Sequence, residues 1–232
     1  MKILTWNILA SEWIKKAYYP TVKDHTLFHR NSRTRIILDK LKEESADIVF
    51  LQEVMPLEYK LLYQAFRHVY HFSRLAPIHW YKTKGQSGNL TLVKKKGFKT
   101  WSETPFAYGL YVQVDNLHLF NIHLDDVSYA KRKKQLDSLP LDKDKKYVIL
   151  GGDFNQNYKP SARLYELDGF TVHNKCSTYF VEKNMNLDNI LSKGFIHRSV
   201  SCHYVPSHVE EGLNLYGSDH IPVTVALSKS KI

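Results

Sequence analysis

Apolar positions along this chain fall in short runs, and the spacing inside each run follows one of two periods. Lys2 to Ile8 and Ala46 to Gln52 are rich in β-branched and aromatic residues over strand-like lengths. Between them Ile36, Ile37, Leu38 and Leu41 recur at helical spacing, behind Asn31 and Ser32 as N-cap residues. The chain thus opens strand, helix, strand. Leu57, Leu61, Leu62 and Phe66 predict a second helix over 57–66, with Pro56 suited to its first turn. Leu90 to Val93, Leu110 to Val114 and Leu117 to Ile122 then predict strands, and Asp115-Asn116 is a tight-turn signal that makes the last two antiparallel. Tyr129 to Leu139 predicts a basic helix, and Tyr147 to Leu150 a buried strand that turns at Gly151-Gly152. Leu187 to Leu191 and Ile221 to Leu227 predict late strands. Mixed strands in this number pack as two sheets face to face or as one sheet under helices, so the pattern predicts a layered α/β fold. No repeat, low-complexity tract or linker divides the chain, which predicts one domain over residues 1–232.

Composition narrows the picture. Hydrophobic residues are 43% and charged residues 24% of the 232, values of an ordinary globular chain. No apolar run approaches the roughly 18 residues that span a bilayer, and the opening segment reads as a strand, not a secretory signal. With Cys176 and Cys202 as its two thiols, the chain lacks a disulfide framework, and both are expected to be reduced. An intracellular protein, cytoplasmic or nuclear, follows, with no membrane association and no obligate protein partner, working as a monomer. The formal charge of +10 favours a polyanionic partner such as nucleic acid.

Chemistry-bearing residues recur where apolar runs begin or end: Asn7, Glu53, His123, Asp153 with Asn155, Asp188, and Asp219 with His220. A carboxylate next to a buried strand costs several kcal/mol unless a cation or hydrogen-bond donor meets it. Several such acids converging suit a hard divalent cation, and oxygen donors without a zinc-type His/Cys pattern point to Mg²⁺ or Mn²⁺. In Gly151-Gly152-Asp153-Phe154-Asn155, the acid and the amide lie two apart in an extended stretch and face one side. One takes a proton from water and the other holds that water. In Ser218-Asp219-His220 a histidine stands beside an acid at the start of the last strand, placed to donate to a phosphate oxygen.

The order of these fragments resembles the endonuclease/exonuclease/phosphatase superfamily. The matching fragments are Thr5-Trp6-Asn7-Ile8, Leu51-Gln52-Glu53-Val54, Asn121-Ile122-His123-Leu124, Gly152-Asp153-Phe154-Asn155, Leu187-Asp188-Asn189-Ile190 and Ser218-Asp219-His220. The resemblance implies a DNase I-like, four-layered α/β sandwich: two mixed β-sheets face to face, flanked by helices, with the site at their shared edge. It implies Glu53 as principal metal ligand, with Asn7 and Asp219 assisting. It further implies Asp153 as base, Asn155 as the residue positioning the water, His220 on a non-bridging oxygen, Asp188 behind His220, and His123 on the phosphate or leaving group. Asn189 departs from the Tyr or His more often found after the acid there, and the chain is short for the superfamily.

The expected activity is Mg²⁺-dependent hydrolysis of phosphodiester bonds in RNA or DNA, with Mn²⁺ able to substitute, and 3'-exonuclease ahead of endonuclease action. The alternatives are a tyrosyl-DNA phosphodiesterase, a phosphoinositide or phospholipid phosphoesterase, and a non-catalytic binding module. Trp6 to Ala10, Tyr19, and Arg30 or Arg33 resemble deadenylase-type members, while His123 to Asp126 with Arg132 and Gln135 matches several branches. Lys94 to Lys96, Lys131 to Lys134, and Lys143 with Lys145-Lys146 are candidate backbone contacts, and Trp80, Tyr81 and Trp101 candidate base-stacking residues.

Overall fold

The computed structural model describes residues 1–77, 87–96, 98–142, 144–158, 167–181 and 184–230. Its elements are β1 (Lys2–Asn7), a 3₁₀ turn (Ser11–Trp13), α1 (Asp24–Leu27), α2 (Arg30–Glu44), β2 (Ile48–Val54), α3 (Pro56–Phe66), β3 (Tyr70–Phe72), β4 (Ala76–Pro77) and β5 (Gly88–Lys94). There follow β6 (Trp101–Phe106), β7 (Gly109–Val114), β8 (Leu117–His123), α4 (Tyr129–Asp137), β9 (Tyr147–Asp153), β10 (Thr171–Val172), β11 (Asp188–Lys193), β12 (Phe195–Ser201), α5 (Val209–Tyr216) and β13 (Val223–Lys229). Among the described residues one sheet runs β12-β13-β1-β2-β5-β3, with β4 also on β5, and the other runs β10-β11-β9-β8-β7-β6.

Alternation along the strands builds the layers. Ile3, Ile48 and Phe50 of the first sheet face Leu110, Val112, Leu119, Ile149 and Ile190 of the second, forming the core between the sheets. Leu4, Trp6, Val49 and Leu51 point the other way, onto Ile37 and Leu41 of α2 and Leu62 and Phe66 of α3. On the far side Phe120, Ile122, Val148 and Leu150 pack under Leu136 of α4. The result is the expected α/β sandwich with helices outside both sheets.

Each sheet contains one parallel pair, β1 with β2 and β8 with β9, each joined by a crossover that carries helices, as parallel pairing requires. Parallel strands end on the same side, so Asn7 and Glu53 finish one pair while His123 and Asp153 finish the other. The neighbours β11 and β13 are antiparallel to these strands. Their beginnings therefore meet the same edge, which brings in Asp188, paired with Asp153, and the Asp219-His220 segment before β13. Beneath that edge a polar seam joins the sheets: Gln52 Nε2 donates to Asn121 Oδ1 at 2.8 Å, and Asn121 Nδ2 to the carbonyls of Leu51 and Leu90.

Three readings of the sequence need correction. Gly151 and Gly152 do not turn the chain; they lie within β9. A Cβ on Gly151 would meet the Phe50 ring at 2.5 Å and one on Gly152 the Ile122 carbonyl oxygen at 1.9 Å, so both permit close approach. Cys176 and Cys202 are not free thiols but a disulfide, with Cα atoms 5.6 Å apart. Their separation of 26 residues hides a proximity that the fold creates, and closing that loop is worth about 3.5 kcal/mol in chain entropy. Finally, α5 and the marginal strands β3, β4, β6, β10 and β12 escaped the pattern. Pro105 inside β6 reads as a breaker but sits on an edge strand, where its missing N–H costs nothing. Gly212 likewise interrupts the helical signal of α5; a Cβ there would lie 2.0 Å from the Phe180 ring.

Candidate active site

Asn7 closes β1 and is the hub of the cluster. Its Nδ2 donates to Glu53 Oε1 at 2.9 Å and to Asp153 Oδ2 at 3.1 Å, while its Oδ1 accepts the Leu9 amide. Glu53 sits where the β2–β5 register slips, at φ 58°, which re-aims its side chain into the cleft. Its other oxygen accepts the Ala10 N–H at 2.8 Å. Burial pushes the Glu53 carboxyl above its ordinary range, and Asp219 adds to that rise.

Across the edge, His220 Nδ1 meets Asp188 Oδ2 at 2.7 Å and His220 Nε2 lies 3.8 Å from Asp153 Oδ2. Burial alone would lower this imidazole's pKa; the charges of Asp188 and Asp153 outweigh it and hold the group well above the usual histidine value. Burial raises Asp188 to about 6. The pair is held from behind: Trp6 Nε1 donates to the His220 carbonyl, Ser218 Oγ accepts the His220 N–H and donates to the Asn7 carbonyl, and Thr178 Oγ1 accepts the Asp188 N–H. The Tyr179 ring lies 5.0 Å from the imidazole. Asn189, the unusual neighbour of Asp188, exchanges hydrogen bonds with the backbone of Asn174 and so fixes the segment leading to Thr178.

His123 Nε2 is 3.6 Å from Asp153 Oδ2. Asn155, at φ 49°, donates its backbone N–H to Asp153 Oδ1 and its side-chain amide to the Leu124 carbonyl. Asp219 Oδ2 accepts the Tyr19 hydroxyl at 2.9 Å. Thus Asn7, Glu53, His123, Asp153, Asn155, Asp219 and His220 all line one cleft of about 580 Å³, with Asp188 directly behind His220.

In the cleft, and in the case of Arg33 behind it, stand residues that the sequence named without a role or missed altogether. Arg33 is buried and donates to the carbonyls of Ile8, Leu9 and Gly217, clamping the two loops that carry Asn7 and Asp219. Arg132 is 7% exposed, lines the cleft, and donates to Asp125 O and Gln156 Oε1. Trp13, Tyr18 and Tyr179 line it as well, and nothing in the sequence separates them from the other aromatics.

The basic clusters fare differently. Lys94 and Lys96 face Asp47, Lys133 pairs with Asp137, and Lys145 with Asp142; of the basic residues proposed as backbone contacts, Arg132 reaches the described cleft. Trp101 packs against Phe98 and His71 on β6 and is not part of it. Trp80, Tyr81 and Lys143, and the side chain of Arg30, lie outside the described residues.

A sequence model of the Endonuclease/Exonuclease/phosphatase family matches residues 4–220. The chain belongs to that family. Its members hydrolyse phosphoester bonds, and the matched span contains every residue of the cluster. No curated protein sequence matches the chain closely enough to count as a relative. Among solved structures the fold is similar to that of humanized D. rerio TDP2 (17% identity, 99% of each chain, TM-score 0.68). It is also similar to ANGEL2, a 2',3'-cyclic phosphatase in complex with adenosine-2',3'-vanadate (16%, 97% of this chain and 94% of that one, TM-score 0.72). A third is the human Nocturnin catalytic domain (17%, 99% and 94%, TM-score 0.67). At these identities the likeness is one of fold.

Proposed function

We propose that the protein is a Mg²⁺-dependent phosphodiesterase that cleaves nucleic acid. The observation that carries this reading is the doubly flanked imidazole of His220, raised by Asp188 and Asp153 and facing a cleft lined by Glu53 and Asp219, neither of which forms a salt bridge with a lysine or arginine among the described residues. Among the described residues no lysine or arginine nitrogen lies within salt-bridge distance of Glu53, whose oxygens meet the Asn7 amide and the Ala10 N–H. Acid oxygens are the hard donors that Mg²⁺ or Mn²⁺ prefers, so Glu53 and Asp219 fit such an ion, and Asn7, whose Nδ2 now faces Glu53 and whose Oδ1 accepts the Leu9 N–H, would join them by turning its amide oxygen inward. Asp153, Asp188 and His220 also bring one ligand atom each within 4.8 Å of one another. We read them as a relay and not as the binding site, because His220 Nδ1 is already engaged by Asp188 at 2.7 Å while its Nε2 faces Asp153 at 3.8 Å. A bound ion supplies positive charge to the phosphate oxygens and the leaving group.

The chain's own residues do the rest. Asp153, joined to Asn7 and to the Asn155 N–H, takes the proton from a water that Asn155 helps hold, and the water attacks phosphorus in line. His220, protonated and oriented by Asp188, donates to a non-bridging oxygen as charge builds there. His123, beside Asp153, faces the phosphate or the departing oxygen. No serine or cysteine among these residues offers a covalent route. The basic charge of +10 supports a polyanionic substrate.

The test is a panel of labelled single-stranded RNA, single- and double-stranded DNA, 5'-tyrosyl DNA and inositol phosphates, with and without EDTA. RNA or DNA should be cleaved in an EDTA-sensitive way, and Asp153→Asn should cut kcat by about 10²- to 10⁴-fold while leaving the fold intact. Cleavage confined to tyrosyl DNA or inositol phosphates, or no cleavage at all, overturns the nuclease reading.

A further inference from the structure

The loop between β1 and α1 builds one wall of the cleft. Tyr18 and Tyr19 are consecutive and do opposite things: Tyr19 is buried and donates to Asp219, whereas Tyr18 lines the same cleft with 53% of its surface exposed. Trp13, also lining the cleft, rests its inner face on the cluster of Leu9, Tyr19, Val22 and Leu213. Lys15 Nζ stands 5.5 Å from the Trp13 ring centroid and 5.7 Å from that of Tyr18, so both rings border one notch that a cation already fills.

The loop is preformed. Trp13 N donates to Ala10 O, Tyr18 N to Lys15 O and Val22 N to Tyr19 O, and Ser87 Oγ donates to Glu12 Oε1 at 2.6 Å. Lys16 pairs with Asp24 at 2.9 Å. Through Tyr19 the loop is tethered to Asp219, and so to the acid cluster itself. Two aromatic faces with an ammonium group between them, in the cleft of the acid cluster, match a planar base followed by a phosphate. An inositol phosphate could meet the ammonium group but offers no planar base to stack on the two rings.

We propose that Trp13 and Tyr18 are the base-stacking subsite of this enzyme. They receive a nucleobase of single-stranded nucleic acid next to the scissile phosphate, while Lys15 leaves the notch to meet the adjoining phosphate. The proposal rests on the nuclease reading above and names what part of that substrate the cleft recognises.

Steady-state kinetics on a short single-stranded oligonucleotide and on its fully abasic counterpart test it, using wild type, Tyr18→Ala and Tyr18→Phe. Tyr18 is exposed, so its substitution leaves the core untouched. Wild type should favour the base-bearing substrate in kcat/KM by about 10- to 100-fold, mainly through KM. Tyr18→Ala should bring the ratio toward one, and Tyr18→Phe, which keeps a stacking ring, should restore it. An equal ratio in wild type and Tyr18→Ala, or a loss as large in Tyr18→Phe, overturns the subsite while leaving the nuclease reading standing. Failure of wild type to cleave either oligonucleotide overturns both.

Discussion

His220 stands between two acids at the bottom of a cleft, and its chemistry is set by that position. The raised imidazole keeps its proton to higher pH than an ordinary histidine, so the donor that we propose it offers a phosphate oxygen is present below its folded pKa and is lost as pH rises through it. Asp188→Asn removes the acid at 2.7 Å. The alkaline limb of the kcat/KM profile should then move to lower pH, with kcat reduced at neutral pH; an unmoved limb would separate Asp188 from the reaction. A second histidine behaves in the opposite way. His173 is buried against Ser192 and His197, and burial lowers it to about 4, with His197 adding to the effect. A histidine that is neutral when folded and free to charge when unfolded costs stability as pH falls from about 6.5 toward 4. The cost is at most about 3 kcal/mol for this shift, and His173→Gln should flatten the urea-unfolding stability curve over that window.

At the scale of elements, the site depends on where strands stop. Glu53 points into the cleft because the β2–β5 register slips beside it, and Asp153 and Asp188 face each other because β9 and β11 are in register there. The sequence could show that polar residues follow apolar runs, but not which runs become neighbours. Packing also overrides propensity. Replacing glycine by alanine in a helix interior ordinarily stabilises by about 1 kcal/mol. In α5, Gly212→Ala would drive a Cβ to 2.0 Å from the Phe180 ring, itself in the core under the first sheet. Thermal unfolding should occur at lower temperature in this variant, the reverse of what helix propensity dictates. The same contact explains why α5 was illegible: the residue that weakens the helical pattern is the one the packing needs.

For the whole molecule, acids gathered at one edge are a source of self-repulsion that a bound cation relieves. Mg²⁺ that binds the folded chain alone stabilises it by about 2.7 kcal/mol at a hundredfold excess over Kd, and for a chain of this size that raises the unfolding temperature by about 5 to 10 °C. Glu53→Gln, whose single amide oxygen keeps one of the Asn7 and Ala10 contacts, should lose most of that shift, as differential scanning fluorimetry with and without Mg²⁺ would show. A full shift in the variant would remove Glu53 from the metal site. Among the described residues no helix is long and apolar enough to cross a membrane.

The residue types were decided by the sequence alone: acids, amides and histidines set at strand ends, in an order specific enough to point to the family and to all eight residues that the fold collects. Local chemistry suffices for that, because a charged group beside a buried strand must be met by something. Proximity was decided by the tertiary structure. It made a disulfide of two cysteines 26 positions apart, turned a pair of supposed turn glycines into spacers between layers, paired most of the basic clusters with acids, and set Trp13 and Tyr18 beside the acid cluster. Each of these depends on contacts between distant segments, and periodicity along a chain carries no record of which distant segments meet.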